Sequence, residues 1–344
     1  MRSETARGAL LGLAMGDALG LPAQFHRRVR SGWGRDILWQ KNAELDRQRV
    51  SRPLLPFALT GDEGSPLSGT DDAETAATAA LVLLEAEGHD TASLFARWRA
   101  HYADTEGVWC GVAERGAVVH ALRGEVPPTT GTDNPVHWDD AAVPAAVVIG
   151  LFHSGDTEAA TRLAGDYASI THARDGLWAA RAMAHAVASL AAGAPLAIAL
   201  EGARRTVPAD SWLGRGLARA DALASGATDA FTAVPDLVDA FGRSRYSHGG
   251  VAPETLPAAF AITRLVDGDL AAGLQAAALL PRQADSMPAM VGALCGAVGG
   301  ERSVPASWRE RVDRLDGVLL PRVAGLRLTE LADRLVAAES GAVR

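Results

Sequence analysis

The chain has 344 residues, of which 48% are hydrophobic, a formal net charge of −8 and only two cysteines. This length allows one large domain or two ordinary ones, and the apolar share is enough for a sizeable core. The negative charge argues against a nucleic-acid or anionic-membrane surface, because binding to phosphates needs clustered Lys and Arg. Cys110 and Cys295 match no metal or redox spacing and are interpreted as free thiols in a reducing compartment.

No run of about 18 uninterrupted apolar residues occurs, so no membrane span is predicted. Asp17 interrupts the only apolar stretch near the first residue, and no cleavage pattern follows it. That stretch is therefore not interpreted as a signal peptide, and we expect a cytoplasmic protein.

Helices dominate the predicted elements. Ala and Leu recur at three- and four-residue spacing, which is the period of a helix with one buried face, and Ala has the highest helix propensity. Alternating strand patterns and hairpin signals are scarce, so we expect an all-α fold. The predicted helices are, in chain order, Glu4–Leu21, Ala73–Glu87, Ala92–Asp104, Val108–Leu122, Ala141–His153, Glu158–Ile170, Gly176–Ala192, Trp212–Ala224, Glu254–Val266, Leu270–Ala278, Met287–Val298 and Leu328–Ala338.

Two irregular stretches separate these helices. Residues 27–69 contain several Pro and Gly without clear periodicity, which is typical of a long functional or mobile loop. A polar loop is predicted from Pro127-Pro128 to about Pro135. No shift of composition marks a boundary, so we expect a single helical domain over residues 1–344.

The first predicted helix carries Gly8, Gly12, Gly16 and Gly20, spaced by four and therefore on one face. A Gly inside a helix costs about 1 kcal/mol relative to Ala, which suggests that something approaches this face closely. Tight packing against another helix is favoured, and direct contact with a ligand is the alternative. Asp17 lies on a different face, where its carboxylate is expected to bond a loop.

A first acidic motif, Thr70-Asp71-Asp72, comes directly before a long apolar helix. One interpretation is structural, because Asp71 can cap the helix and Glu74 follows at the spacing of a capping box. The other is a cation site, because a hydroxyl and two carboxylates are the oxygen ligands that Mg²⁺, Mn²⁺ or Ca²⁺ prefer. The motif alone favours the cap.

A second acidic motif, Gln283-Ala284-Asp285-Ser286, also precedes an Ala- and Gly-rich helix. Asp285 or Ser286 can again cap that helix. Two helix N-termini bearing oxygen ligands can instead converge on one cation or a cation pair.

Together these motifs resemble the ADP-ribosylglycohydrolase family. The segment from Gly8 to Gly20 (GALLGLAMGDALG) is similar to the opening helix of the family, and the first acidic motif follows about fifty residues later, where the family has Thr-Asp-Asp. Ser169-Ile170-Thr171-His172 is similar to a mid-chain Ser-x-Thr-His segment. The second acidic motif, with residues 292–297 after it, resembles the closing Gly-Gly-Asp-x-Asp-Thr motif and its helix.

The resemblance implies an orthogonal all-α fold with one or two Mg²⁺ or Mn²⁺ ions and hydrolysis of the bond between C1″ of a terminal ribose and an acceptor atom. One carboxylate near the cations, Asp71 or Asp72, would help to activate the attacking water, whose pKa the cations lower. The cation ligands carried over are Thr70, Asp71, Asp72, Gln283, Asp285 and Ser286. The residues expected to contact substrate are Asp17, Gln24, His172, Tyr246 and His248.

Several positions depart from the family pattern. Gln283 replaces the first Asp of the closing motif, and Gln24 stands roughly where many members have Glu. Residues 281 and 282 are Pro and Arg instead of a Gly pair, and Asp140 begins a segment where the family has Asn-Gly-x-x-Met-Arg. These changes leave the substrate and the second cation open.

Gln283 leaves three carboxylates, Asp71, Asp72 and Asp285, to balance up to two divalent cations. Because two cations a few ångströms apart repel each other, we expect one tightly held cation and one weak or absent cation in the ligand-free protein. In the alternative, Gln283 points away and backbone or water takes its place.

The remaining candidates are weaker. His172 is interpreted as a hydrogen-bonded structural histidine more readily than as a base. Tyr246 and His248 lie in a loop with Gly249 and Gly250, which permit positive φ where a loop closes over a ligand.

The leading hypothesis is an enzyme that removes ADP-ribose from an ADP-ribosylated protein or a ribosylated small molecule. The alternatives are a glycohydrolase of a small NAD- or nucleoside-derived N-riboside and a non-catalytic binder of ADP-ribose.

Overall fold

The computed structural model describes residues 2–28, 69–242, 250–280, 286–317 and 319–342, and of residues 21–28, 242 and 339–342 it describes the backbone alone. The described residues are 72% helical and contain sixteen α-helices and no strand, which confirms the all-α prediction. The helices are α1 (Arg2–Arg28), α2 (Asp71–Glu85), α3 (Thr91–Tyr102), α4 (Val112–Leu122), α5 (Thr129–Thr132), α6 (Val143–Phe152), α7 (Thr157–Ala168), α8 (Arg174–Ala191), α9 (Leu196–Arg205), α10 (Trp212–Gly226), α11 (Ala230–Leu237), α12 (Ala252–Leu265), α13 (Leu270–Ala277), α14 (Met287–Gly299), α15 (Ala306–Val312) and α16 (Leu328–Ala342).

Each of the twelve predicted helices is present, with ends that differ by a few residues. Four helices were not predicted from the sequence, namely α5, α9, α11 and α15. The polar loop predicted from Pro127-Pro128 to Pro135 was partly wrong, because it contains α5. Helix α11 was missed because Pro235 lies inside it, while the capping box of Asp229 and Thr232 fixes its start. Most of the predicted long loop, residues 27–69, lies outside the described residues.

The glycine face of α1 packs against α14. A Cβ added to Gly12 would lie 2.1 Å from the Gly292 carbonyl oxygen, and one added to Gly8 would lie 2.3 Å from the Gly296 carbonyl oxygen. The contact is reciprocal, since a Cβ on Gly292 would lie 2.0 Å from the Gly12 carbonyl oxygen. No side chain fits between two backbones at this separation, so the prediction of tight helix packing is confirmed.

Helix α6 lies in the interior, and all ten of its residues are buried. It packs against α8 and α2. Trp98 of α3 and Met183 of α8 are among the largest fully buried side chains. In the described part of the chain, no helix combines the length and the apolar character needed to cross a membrane.

Candidate active site

The first acidic motif lies at the N-terminus of α2, and a residue of α1 caps this helix. The Asp17 carboxylate accepts hydrogen bonds from the Thr70 amide at 2.6 Å and from the Ala73 amide at 2.9 Å. The Thr70 hydroxyl donates to the other Asp17 oxygen and lies 3.3 Å from Asp71 Oδ1. Asp17 therefore caps α2. Its bond to Thr70, which precedes the helix, also agrees with the predicted bond from Asp17 to a loop.

The capping interpretation of Asp71 and Glu74 was wrong. Asp71 is the first residue of α2, and Thr70 occupies the N-cap position without a capping hydrogen bond from its side chain. Glu74 accepts hydrogen bonds from the amides of Leu319 and Leu320, both at 2.8 Å. Asp71, half-buried, and Asp72, buried, are thus not needed to cap the helix.

The pKa of Asp17 lies above the ordinary range for a carboxyl group. Burial, together with the nearby charge of Asp71, raises the pKa of Asp17 to about 7, although the hydrogen bonds from Thr70 and Ala73 act in the opposite direction. Burial has the largest effect, because it disfavours the charged form of the carboxyl group.

Ser286 of the second acidic motif lies at the N-terminus of α14. It occupies the N-cap position, but its hydroxyl makes no capping bond. The hydroxyl instead donates to Asp140 Oδ2 at 2.6 Å, in a buried contact between residues far apart in sequence. The expectation that the Ser286 side chain caps α14 was therefore wrong.

Helix α1 brings the two N-termini together. At Gly16 its backbone lies against the first turn of α14, since a Cβ there would be 2.0 Å from the Pro288 carbonyl oxygen. The next residue, Asp17, holds the N-terminus of α2 through Thr70 and Ala73. One turn of α1 therefore contacts both helices, the first turn of α14 at Gly16 and the N-terminus of α2 at Asp17, while of the second acidic motif only Ser286 is described.

A buried Asp139–His172 pair adjoins Asp140, the residue that accepts the hydrogen bond from Ser286. His172 Nε2 and Asp139 Oδ1 are 2.5 Å apart, and His172 Nδ1 lies 2.6 Å from the Thr171 hydroxyl. Burial alone would lower the pKa of His172, but the charge of Asp139 and its hydrogen bond, with the charges of Glu114 and Asp140, outweigh burial and raise this pKa. Both ring nitrogens have protein partners, as the structural interpretation of His172 predicts.

Glu114 in the first turn of α4 is a further buried acid near the Asp139–His172 pair. Burial and the charge of Asp139 raise the pKa of Glu114 to about 7, and the positive charge of His172 acts against this rise. Its Oε2 atom is buried and has no hydrogen-bond partner among the described residues. A buried carboxyl oxygen without a partner is costly, and protonation lowers that cost.

Several predicted site residues are not among the residues that the structure describes. Gln283, Asp285, Tyr246 and His248 lie outside the described residues, and Gln24 is described by its backbone alone, in the last turns of α1. Their roles stay predictions, as do the substrate contacts of Asp17 and His172, whose observed partners are protein groups.

Sequence reasoning did not propose Glu114, Asp139 or Asp140 as site residues. The available signal was the Asp139-Asp140 pair itself, which directly precedes the apolar helix α6 just as Asp71-Asp72 opens α2. Glu114 had no such signal, because an acid in the first turn of a helix is ordinary.

The donor atoms fit a hard cation. Thr70, Asp71, Asp72 and Ser286 offer hydroxyl and carboxylate oxygens, which Mg²⁺ and Mn²⁺ prefer over nitrogen and sulfur. Within the described ranges, no three His, Cys, Asp or Glu side chains are grouped closely enough to hold a metal ion. The candidate ligands Gln283 and Asp285 are not part of those ranges.

The described fold is all-α, with oxygen-bearing side chains at the N-termini of α2 and α14, which both contact one turn of α1. The family model for ADP-ribosylglycohydrolase matches residues 1–343. The chain belongs to the ADP-ribosylglycohydrolase family and is a hydrolase of glycosidic bonds. The family resemblance inferred from the sequence motifs is thus confirmed.

A solved structure supports the same fold. A protein described as an ADP-ribosylglycohydrolase-related protein complex is similar with a TM-score of 0.60 and 22% sequence identity, over 98% of this chain and 99% of that chain. At this identity the likeness shows the fold alone. No curated protein matches the chain.

Proposed function

We propose that the protein is a cation-dependent hydrolase that cleaves the C1″ ribosyl bond of an ADP-ribosylated substrate. The observation that supports this proposal is that Gly16 and Asp17 of α1 contact the first turn of α14 and the N-terminus of α2, the two helices whose starts carry the acidic motifs in the sequence. In hydrolysis, a water oxygen bonds to C1″, the bond from C1″ to the acceptor atom breaks, and the acceptor takes up a proton.

Thr70, Asp71, Asp72 and Ser286 would hold the cation, with Gln283 and Asp285 as further ligands. When bound, Mg²⁺ or Mn²⁺ polarises the ribose hydroxyls and water. The carboxylates of Asp71 and Asp72 orient the attacking water and accept its proton. Asp17 keeps the first acidic motif in place because its carboxylate accepts hydrogen bonds from the amides of Thr70 and Ala73 at the N-terminus of α2.

A small N-riboside is the second candidate substrate, and the buried acids favour it. Asp139 and Asp140 place negative charge beside His172, whose imidazole is already paired with Asp139. The diphosphate of ADP-ribose is itself negative, and repulsion between like charges is strong at low dielectric. A neutral or cationic riboside avoids that repulsion. The ratio of kcat/KM for an N-riboside to that for an ADP-ribosylated peptide decides between the two candidates.

The assignment of the first acidic motif is tested by Asp71→Asn and Asp72→Asn. Both variants should keep their fold and lose Mg²⁺-dependent hydrolysis and Mg²⁺ affinity, because Asn lacks the charge that balances a cation. The matched control is Asp90→Asn, since Asp90 caps α3 through the amides of Ala92 and Ser93, both at 3.0 Å. Asn caps as well as Asp, so this control should retain full activity. Full activity and metal affinity in Asp71→Asn or Asp72→Asn would show that the ligand assignment is wrong.

A further inference from the structure

The two hydroxyl groups proposed as cation ligands share one arrangement. Thr70 Oγ1 donates its hydrogen to the buried carboxylate of Asp17, which comes from another helix. Ser286 Oγ donates its hydrogen to the buried carboxylate of Asp140 at 2.6 Å, again from another element. A hydroxyl has one hydrogen and two lone pairs, so a hydroxyl that donates to a carboxylate turns its lone pairs elsewhere.

Asp140 is held firmly in this position. Its amide donates to the Gly250 carbonyl oxygen at 3.0 Å. Its Oδ1 atom lies against Gly250, where an added Cβ would be 2.9 Å away, and Gly250 has a φ of 71° that favours glycine. Because Asp140 is only 6% exposed, its carboxylate is fixed between Gly250 and Ser286 and not free to turn toward solvent.

The negative charge of Asp140 bears on the charge balance of the proposed cation site. The count from sequence gave three carboxylates, Asp71, Asp72 and Asp285, because position 283 is Gln. That count leaves out Asp140, whose carboxylate is in hydrogen-bond contact with the candidate ligand Ser286. Asp140 thus places a further buried carboxylate against a candidate ligand, as Asp17 does at Thr70.

We propose that Asp140 is a positioning residue of the cation site, which binds the Ser286 hydroxyl hydrogen, directs the Oγ lone pairs toward the cation and places a negative charge beside that ligand. Groups that orient the ligands of a metal in this way typically change metal affinity by about 10- to 100-fold when they are replaced. The inference rests on the proposed function, because it needs a cation at the two acidic motifs.

The test titrates the full chain with Mn²⁺ in the absence of substrate. Binding is measured by calorimetry or from the electron paramagnetic resonance signal of free Mn²⁺. Asp140→Asn keeps the shape of the side chain and removes its charge, and should weaken Mn²⁺ binding about 10-fold or more. The matched control is Asp313→Asn, because Asp313 is also a buried carboxylate bonded to a hydroxyl, that of Thr329 at 2.9 Å. This control should bind Mn²⁺ within about 2-fold of the unmodified protein.

Ser286→Ala provides a second variant that does not depend on the folding of Asp140→Asn. It should also weaken Mn²⁺ binding, and the double variant should lose less than the product of the two single losses, because Asp140 acts partly through Ser286. Unchanged affinity in either single variant, or losses that multiply, would overturn the role of Asp140 while leaving the proposed function intact. Absence of Mn²⁺ binding by the unmodified protein would overturn the cation dependence and this inference together.

Discussion

Replacing Glu114 with Gln removes a buried acid and keeps its shape. Burial and the charge of Asp139 raise the pKa of Glu114 from 4.5 to about 7 in the folded chain. The folded chain therefore binds this proton more tightly than the unfolded chain does. The stability that Glu114 contributes is fully present below pH 4.5, and it is lost as the pH rises through about 7. Gln does not titrate, so Glu114→Gln should become relatively more stable as the pH rises.

The size of the effect follows from the two pKa values. Each unit of pKa difference between the folded and the unfolded chain is worth about 1.4 kcal/mol. The rise from 4.5 to about 7 corresponds to a loss of roughly 3 kcal/mol by pH 8, of which about 2.5 kcal/mol falls between pH 5 and pH 8. Over that range, the free energy of unfolding of Glu114→Gln should therefore rise by about 2.5 kcal/mol relative to the unmodified protein.

Urea unfolding at pH 5, 6, 7 and 8, with a chelator present, measures this difference directly. Titrating groups that do not interact with Glu114 are common to both proteins and cancel in the comparison. Glu87→Gln is the control, because Glu87 is exposed, and its difference from the unmodified protein should stay flat across the series. A flat difference for Glu114→Gln as well would refute the account of Glu114 as a buried acid with a raised pKa.

Two further substitutions probe the helix contacts that place the site. Gly12→Ala puts a Cβ 2.1 Å from the Gly292 carbonyl oxygen, so overpacking should outweigh the gain in helix propensity and cost a net of about 1–2 kcal/mol in chemical unfolding. Gly226→Ala is its control, because nothing lies within 4 Å of a Cβ there, and equal stability of the two variants would contradict the packing argument. Asp17→Ala leaves the amides at the start of α2 without their acceptor and should cost about 2–3 kcal/mol. A loss below about 0.5 kcal/mol would show that water replaces the cap.

The sequence predicted those features whose cause is local. The spacing of Gly8, Gly12 and Gly16 indicated a close helix contact because four-residue periodicity defines one helical face, and the structure has that contact with α14. The order and spacing of four segments, the glycine-rich first helix, the first acidic motif, residues 169–172 and the second acidic motif, indicated the family, which the family model confirms. In each case, the information lies within a short segment or in the order of segments.

The features that sequence reasoning missed depend on partners far apart in the chain. Glu74 looked like half of a capping box, but its carboxylate binds the amides of Leu319 and Leu320, 245 and 246 positions away. Ser286 looked like a cap, but its hydroxyl binds Asp140, 146 positions away. Local rules favour the nearest partner for a polar side chain, and only the folded chain shows which distant partner replaces it.

The central claim is that this chain hydrolyses a ribosyl bond with the help of a divalent cation held by the two acidic motifs. The most direct test measures cleavage of an ADP-ribosylated peptide and of an N-riboside by the unmodified protein, with Mg²⁺, with a chelator, and with Mg²⁺ restored after chelation. We expect cleavage of at least one substrate with Mg²⁺, its loss in chelator, and its recovery when Mg²⁺ is restored. Equal rates with and without the cation, or no cleavage of either substrate with Mg²⁺ or Mn²⁺ present, would contradict the account.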